Sequence, residues 1–248
     1  MPKITFLGTN GWYDSKTGNT ISILVETRNC YIVLDAGYGL AKLSGHLEDD
    51  RPVYVFLSHF HLDHIIGLHT LCKNTFSDGL RLIVQEGGAE ILKGLLDFPF
   101  TAPVSTMPFK TEFIEVPQNS RLLPFKAEFL PMLHTSYTLG VRIETEGKII
   151  TYCPDTGFCE NAAILAGNAD LLIAECAHRA GEVNGSWPHL SPDVSARIAR
   201  EAGAKKLILT HFDAERYPSV EARYEAERAA REIFAESFAS MDGMQLEL

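Results

Sequence analysis

The chain has 248 residues, enough for one large α/β domain or two small ones. Its 46% hydrophobic and 22% charged residues predict a sizeable core, and no apolar run approaches the roughly 20 residues that cross a membrane as a helix. A formal net charge of −10 argues against extensive nonspecific nucleic-acid binding, which needs Lys and Arg to neutralise phosphates; a local basic patch stays compatible with it.

The N-terminus, Met1-Pro2-Lys3-Ile4-Thr5, runs directly into a strand. It shows no basic segment followed by a long apolar one, so no signal peptide is visible and the cytoplasm is the expected compartment. Ile4 to Gly8 reads as the first strand, and Thr9 to Asn19, rich in Gly, Asn, Asp and Thr, reads as a loop. Strands over Ile21 to Val25 and Tyr31 to Leu34 follow, the second ending in Asp35-Ala36-Gly37. Val53 to Leu57 is an apolar, β-branched and aromatic run that predicts a buried strand. Beyond it Ile65, Ile66, Leu68 and Leu71 recur at helical spacing, which predicts a helix to about Lys73.

Between that strand and that helix lies Ser58-His59-Phe60-His61-Leu62-Asp63-His64. Three imidazoles and a carboxylate within six residues, on a strand-to-helix turn, point to metal binding rather than to chance clustering. One loop cannot complete such a site, because each ion needs about four ligands. The rest of the ligands must come from later in the chain.

That later part reads as a strand over Arg81 to Gln85 and a short helix over Ala89 to Leu96. Residues 97–108, with three prolines and two phenylalanines and no periodicity, read as a surface loop packed by its own aromatics, or else as a lid over a substrate pocket. Strands are expected near Phe113 to Val116, Phe125 to Leu130, Leu139 to Glu144 and Lys148 to Tyr152, with Gly147 closing a hairpin. Ala162 to Ala166 predicts a short helix, and Leu171 to Ala174 a buried strand ending at Glu175. A helix is expected over Asp193 to Ala202, starting near Ser191 or Pro192 and ending before Gly203. Lys206 to Thr210 predicts a strand, Val220 to Phe238 a charged amphipathic helix, and Met244 to Leu248 a last strand. No repeat, low-complexity tract or linker interrupts the chain, so a single domain over 1–248 is expected. Periodicity alone predicts α/β with mixed sheets.

Three further residues of ligand type follow apolar strands: His134, Asp155 and His211. With the first cluster they supply donors enough for two ions. The five cysteines (Cys30, Cys72, Cys153, Cys159, Cys176) do not form a disulfide framework or a Cys-rich zinc pattern. Cys153 and Cys176 lie near the proposed site, but they are not expected as ligands.

His59-x-His61-x-Asp63-His64 resembles the signature of the metallo-β-lactamase superfamily, and the later residues look most like its ribonuclease Z and phosphodiesterase branches. The resemblance covers nearly the whole chain and implies a four-layer αββα sandwich. It implies that His59, His61 and His134 hold one divalent ion, that Asp63, His64 and His211 hold a second, and that Asp155 bridges them. Zinc is expected, with manganese or iron as alternatives. It further implies that Asp35, which could also be a simple turn residue, supports the histidine loop by accepting a ligand's outer N–H. His189, in Trp187-Pro188-His189-Leu190-Ser191-Pro192, matches a histidine of ribonuclease Z-like enzymes that pairs with a glutamate, here Glu175. Such a pair would keep His189 protonated to stabilise phosphoryl oxygens or assist a leaving group. The family pattern has a histidine where this chain has Ala174, so the match is incomplete there. His178 is close in sequence but outside the pattern, and His46 and His69 read as surface or helix residues.

The function these residues imply is a dinuclear metal-dependent hydrolase, foremost a phosphodiesterase in which a metal-bridging hydroxide, with Asp63 in the catalytic set, attacks a small or cyclic phosphodiester or a nucleotide. Ribonuclease Z-like processing of RNA 3′ ends fits less well, because only a hairpin lies between His134 and Asp155, with no room for that family's transfer-RNA-gripping arm. A lactonase- or thioesterase-type carboxyl-ester hydrolase is the alternative bond chemistry, and a non-catalytic metal-bound scaffold the least favoured reading. A redox diiron role is disfavoured by His61, where that branch usually has Glu. Dimers are common in the family, so the resemblance leaves a homodimer open.

Overall fold

Strands that are apolar at every position must be covered on both faces, and that requirement decides the layers here. A computed structural model describes residues 1–248. In chain order the first strands are β1 (Lys3–Gly8), β2 (Asn10–Gly11), β3 (Ser22–Glu26), β4 (Tyr31–Leu34), β5 (Val53–Phe56), β6 (Leu80–Gln85) and β7 (Thr111–Val116). They are followed by β8 (Lys126–Pro131), β9 (Leu139–Thr145), β10 (Lys148–Cys153), β11 (Leu171–Glu175), β12 (Leu207–Thr210), β13 (Phe212–Asp213), β14 (Ser237–Ala239) and β15 (Gln245–Glu247). The helices are α1 (Leu62–Ile65), α2 (Gly88–Leu95), α3 (Glu160–Ala166), α4 (Pro192–Glu201) and α5 (Val220–Arg231).

One sheet has seven strands in the order β15-β1-β3-β4-β5-β6-β7, and a second has six in the order β14-β12-β11-β10-β9-β8. Alternate residues of one strand serve different cores. In β4, Ile32 and Leu34 face the second sheet, whereas Tyr31 and Val33 pack under the helical segments outside. In β11, Leu171 and Ile173 face inward and Leu172 and Ala174 meet the helices of the other side. Phe56 of β5 meets Phe129 of β8 between the sheets, ring centres 5.5 Å apart. The result is the αββα sandwich with two mixed sheets. No helix is long and apolar enough to cross a membrane.

The expected strands form with small shifts of their ends, and α4 begins as predicted, with Ser191 as N-cap and Pro192 in the first turn. Four expectations are corrected. The helix expected to Lys73 is a single α-turn followed by a 3-10 segment over Ile66–Lys73. Its tighter winding accommodates Gly67, whose amide donates to Ala36 and where a Cβ would come 2.1 Å from the Gly37 carbonyl oxygen. The helix expected to Phe238 stops at Arg231, and Phe238 lies in β14. There it pairs in parallel with Ile208 on the free edge of β12, which outweighs the helical spacing of Ile233 and Phe234. The loop expected over Thr9 to Asn19 contains β2, paired in parallel with β13. Residues 97–108 form the expected surface loop, but Phe98 and Phe100 are exposed instead of packing it, and none of its residues lines the cavity. All five cysteines are free.

Candidate metal centre

Strand ends from both sheets open on one rim, the usual place for a site in α/β architecture. β4 delivers Asp35, β5 delivers Ser58 and His59, β8 leads to His134, β10 to Asp155, and β12 to His211. β11 ends on Glu175 itself. Two of these residues, Asp35 (φ +58°) and His211 (φ +54°), are held in the left-handed region that non-glycine residues avoid. Such strain survives only where the surroundings over-determine it, and here it turns both side chains toward the rim.

The predicted ligands converge. His59, His61, His134 and Asp155 form one group of donors, and Asp63, His64 and His211 another, with donor atoms in each group within 4.8 Å of one another. Asp155 lies between them. Its Oδ2 is 3.8 Å from His59 Nε2 and 3.7 Å from His134 Nε2. Its Oδ1 is 3.2 Å from His64 Nε2 and 3.1 Å from His211 Nε2. Each carboxylate oxygen therefore faces a different group of imidazoles.

The outer ring nitrogens are tied down. His64 Nδ1 lies 2.8 Å from Asp35 and His59 Nδ1 3.0 Å from Ser58 Oγ, which leaves both Nε2 atoms turned inward. Asp35 also accepts from the Ser58 amide (2.7 Å), Ser58 Oγ (2.8 Å) and Tyr152 Oη (2.7 Å). The supporting role implied for Asp35 thus has two partners that sequence reasoning missed, Ser58 and Tyr152. Asp63 Oδ2 accepts from the Trp12 amide at 2.7 Å and is 3.3 Å from His211 Nε2.

The electrostatics ask for cations. Burial pushes the proton affinities of His59, His61 and His134 below the ordinary histidine range, so they are neutral donors. Burial also opposes charge on His64 and His211, but Asp155 and the neighbouring carboxylates outweigh it and raise both. Burial likewise disfavours ionised Asp63 and Asp155, yet His64 and His211 hold both below the usual carboxylate range. Carboxylates packed this way demand positive charge, which the protein alone can supply only by protonating residues of ligand type. Two buried atoms that face the centre, His59 Nε2 and Asp155 Oδ1, also lack a hydrogen-bond partner in the protein. Leaving such atoms unsatisfied costs about 1–3 kcal/mol each. Divalent cations would remove both problems, so the donor set fits them.

Glu175 and His189 meet as implied, with Nδ1 2.7 Å from Oε1. Burial opposes charge on His189, but Glu175 raises it to about 9. Glu175 is itself held by the Thr156 and Ala177 amides, both at 2.9 Å. His178 is buried behind His189, ring centres 5.6 Å apart and Nδ1 3.7 Å from Glu182, and it is not among the convergent donors. His69 is exposed and stacks on Tyr38, away from the centre. Cys153 and Cys176 are buried, their thiols pushed up by desolvation, and neither joins the donor groups.

The centre forms the floor of a cavity of about 720 Å³. Its wall adds residues that sequence reasoning passed over: Gly11, Trp12, Trp187, Asp213, Glu215 and Arg216. In the sequence Trp187 stands out only as a neighbour of His189, and Gly11 carries no signal without its partner in space. A Cβ at Gly11 would lie 2.4–2.8 Å from three ring atoms of His211, so only glycine leaves the ring its place.

Residues 31–212 match the beta-lactamase superfamily domain. The chain is 27% identical over 219 residues to the probable metallo-hydrolase YhfI of Bacillus subtilis, covering 85% of this chain and 86% of that one. The crystal structure of YhfI, a metallo-beta-lactamase fold protein, superposes with a TM-score of 0.82 at 24% identity over the full length of both chains. Ribonuclease Z of Enterococcus faecalis is 26% identical over 296 residues, covering 94% of this chain and 93% of that one. A diphosphatase from the PhnP family shares the fold with a TM-score of 0.76 at 17% identity, covering 100% of this chain and 98% of that one.

Proposed function

The chain belongs to the beta-lactamase superfamily, and from that premise we propose that it is a dinuclear metal-dependent phosphodiesterase acting on small or cyclic phosphodiesters. As a member it is a metallo-hydrolase whose fold implies divalent metal ions. The proposal makes His59, His61, His134 and Asp155 the ligands of one ion and Asp63, His64, His211 and Asp155 those of the other, with zinc the expected metal. Bound there, such ions would supply an activated water and neutralise charge on phosphoryl oxygens.

The chain's own residues do the remaining work. Asp63 orients the second group through His211 and is itself fixed by the Trp12 amide. Glu175 holds the proton of His189 on Nδ1, so that Nε2 is the free ring nitrogen. A protonated His189 can donate from Nε2 to the oxygen of the departing alcohol, so that it leaves neutral. The observation that carries the reading is His189 on the wall of the cavity where both donor groups meet, backed at 2.7 Å by the buried Glu175. Residues between His134 and Asp155 are taken up by the hairpin β9–β10, which favours a small substrate over RNA processing. One catalytic domain over 1–248, in the cytoplasm, goes with this reading.

The test is hydrolysis of bis(p-nitrophenyl) phosphate by protein loaded with zinc or manganese, with Asp63→Ala as background. Turnover well above that background is expected. Protein shown to hold two ions that turns over no phosphodiester would sink the proposal, and lactones and thioesters would then be the substrates to assay.

A further inference from the structure

Recognition of a substrate beyond its phosphoryl group must come from the cavity wall, and that wall is poor in free charge. Arg216 is its sole Lys or Arg. Its Nε and Nη2 are engaged by Glu182 at 3.1 and 2.7 Å, and its Nη1 by Asp213 at 2.8 Å. Asp213 and Glu215 stand on the same wall and repel further anionic groups. Apart from His189, which the phosphodiesterase reading assigns to the departing oxygen, a polyanion therefore has no partner here outside the metal ligands.

The wall offers two indoles instead. The chain contains two tryptophans, and both line this cavity. Neither is hidden in a core: Trp12 is 62% exposed and Trp187 48%. Each is held in place by the backbone that bears it. Trp12 sits at φ +71° with its amide on Asp63, a strained conformation fixed at the edge of the centre. Trp187 follows a turn in which Asn184 Oδ1 accepts from Ser186 Oγ and from the amides of Ser186 and Trp187. Its ring lies parallel to His61 at 6.1 Å and 5.9 Å from His189, leaving indole surface open to the cavity.

We propose that Trp12 and Trp187 form a stacking site for a planar aromatic group of the substrate, specifically a nucleobase carried on a single phosphodiester. The phosphoryl half of this proposal rests on the phosphodiesterase reading; the aromatic half does not. Stacking suits such a wall because every base has a π-face, so it needs no charged side chain.

The experiment uses the metal-loaded full-length protein and two readouts, tryptophan emission and calorimetric affinity. Three probes are compared: adenosine 5′-monophosphate, ribose 5-phosphate, which lacks the base, and adenosine, which lacks the phosphate. The nucleotide is expected to quench emission and to bind about tenfold more tightly than ribose 5-phosphate. Trp12→Leu and Trp187→Leu should each remove most of that preference, and Trp187→Leu, which has no tie to Asp63, should leave ribose 5-phosphate affinity within about twofold. Both positions are exposed, so the variants should fold, and Trp12→Phe and Trp187→Phe, which keep a ring, should retain most of the preference. Equal affinity for the nucleotide and ribose 5-phosphate, or leucine variants that bind the nucleotide like the wild type, would overturn the stacking site while leaving the phosphoryl reading intact. Adenosine bound as tightly as the nucleotide, with ribose 5-phosphate unbound, would support the stacking site and sink the phosphoryl reading.

Discussion

At the scale of single residues, the centre depends on groups that bind nothing themselves. Gly11 is the sharpest case, because a methyl there would strike the His211 ring. Gly11→Ala should lower affinity for the second ion by about tenfold or more, read as metal retained after dialysis; full retention would show that the ring can move without harm. Asp35 gathers four contacts from Ser58, His64 and Tyr152. An amide turns one of its two acceptors into a donor, so Asp35→Asn should weaken metal binding roughly 10–100-fold. Metal titration of the variant checks this, and wild-type affinity would reduce Asp35 to a turn residue. His189 is a different kind of residue: the proposal gives it proton donation, although its ring also lies within reach of Asp155 and His211 as a donor. His189→Asn should lower kcat by about a hundredfold or more with metal content unchanged. The loss should shrink for substrates whose alcohols leave easily, since these need no proton.

Among the elements, α5 secures the short ribbon of β2 and β13 that carries both Gly11 and, just before β13, His211. The link is Arg223, fully buried, whose guanidinium lies 4.7 Å from the centre of the Phe212 ring and donates to Thr9 Oγ1 at 2.8 Å, to the Ser240 carbonyl at 3.1 Å and to Asn10. Burial lowers its proton affinity to about 10, so it stays charged at neutral pH. Removing it strands several acceptors in the interior. Arg223→Met should cost about 3 kcal/mol, or about 6–12 °C in Tm, and should loosen metal binding although the residue is no ligand. Thermal unfolding and metal titration together test this, and a variant with unchanged values in both would release α5 from any part in the site. The shortened α5 has its own lesson. Ile233 and Phe234 keep helical spacing, but Ser237–Ala239 complete the β12 edge as β14, because an unpaired edge gains more from a strand than the solvated helix end gains from another turn.

For the whole molecule, carboxylates and imidazoles from both sheets meet at one rim, so metal binding and folding are coupled. Each ion that binds only the folded chain adds about 2.7 kcal/mol at a hundred times its Kd, which at this size is about 5–10 °C in Tm per ion. Chelation followed by zinc should lower and then restore Tm by that much; an unchanged Tm would mean that the donors are not an ion-binding set. Much of this was legible in the residues. Apolar runs marked the strands, since a strand covered on both faces must be apolar throughout. His59, His61, Asp63, His64, His134, Asp155 and His211 stood out because ligand types at strand ends are few and local. Tertiary structure alone decided other neighbours: Tyr152 on Asp35, Trp12 on Asp63, and Arg216 already taken by Glu182 and Asp213. The reason is that periodicity reports how deeply a residue is buried, whereas a partner distant in sequence is chosen by strand order and the path of the chain, which leave no local trace.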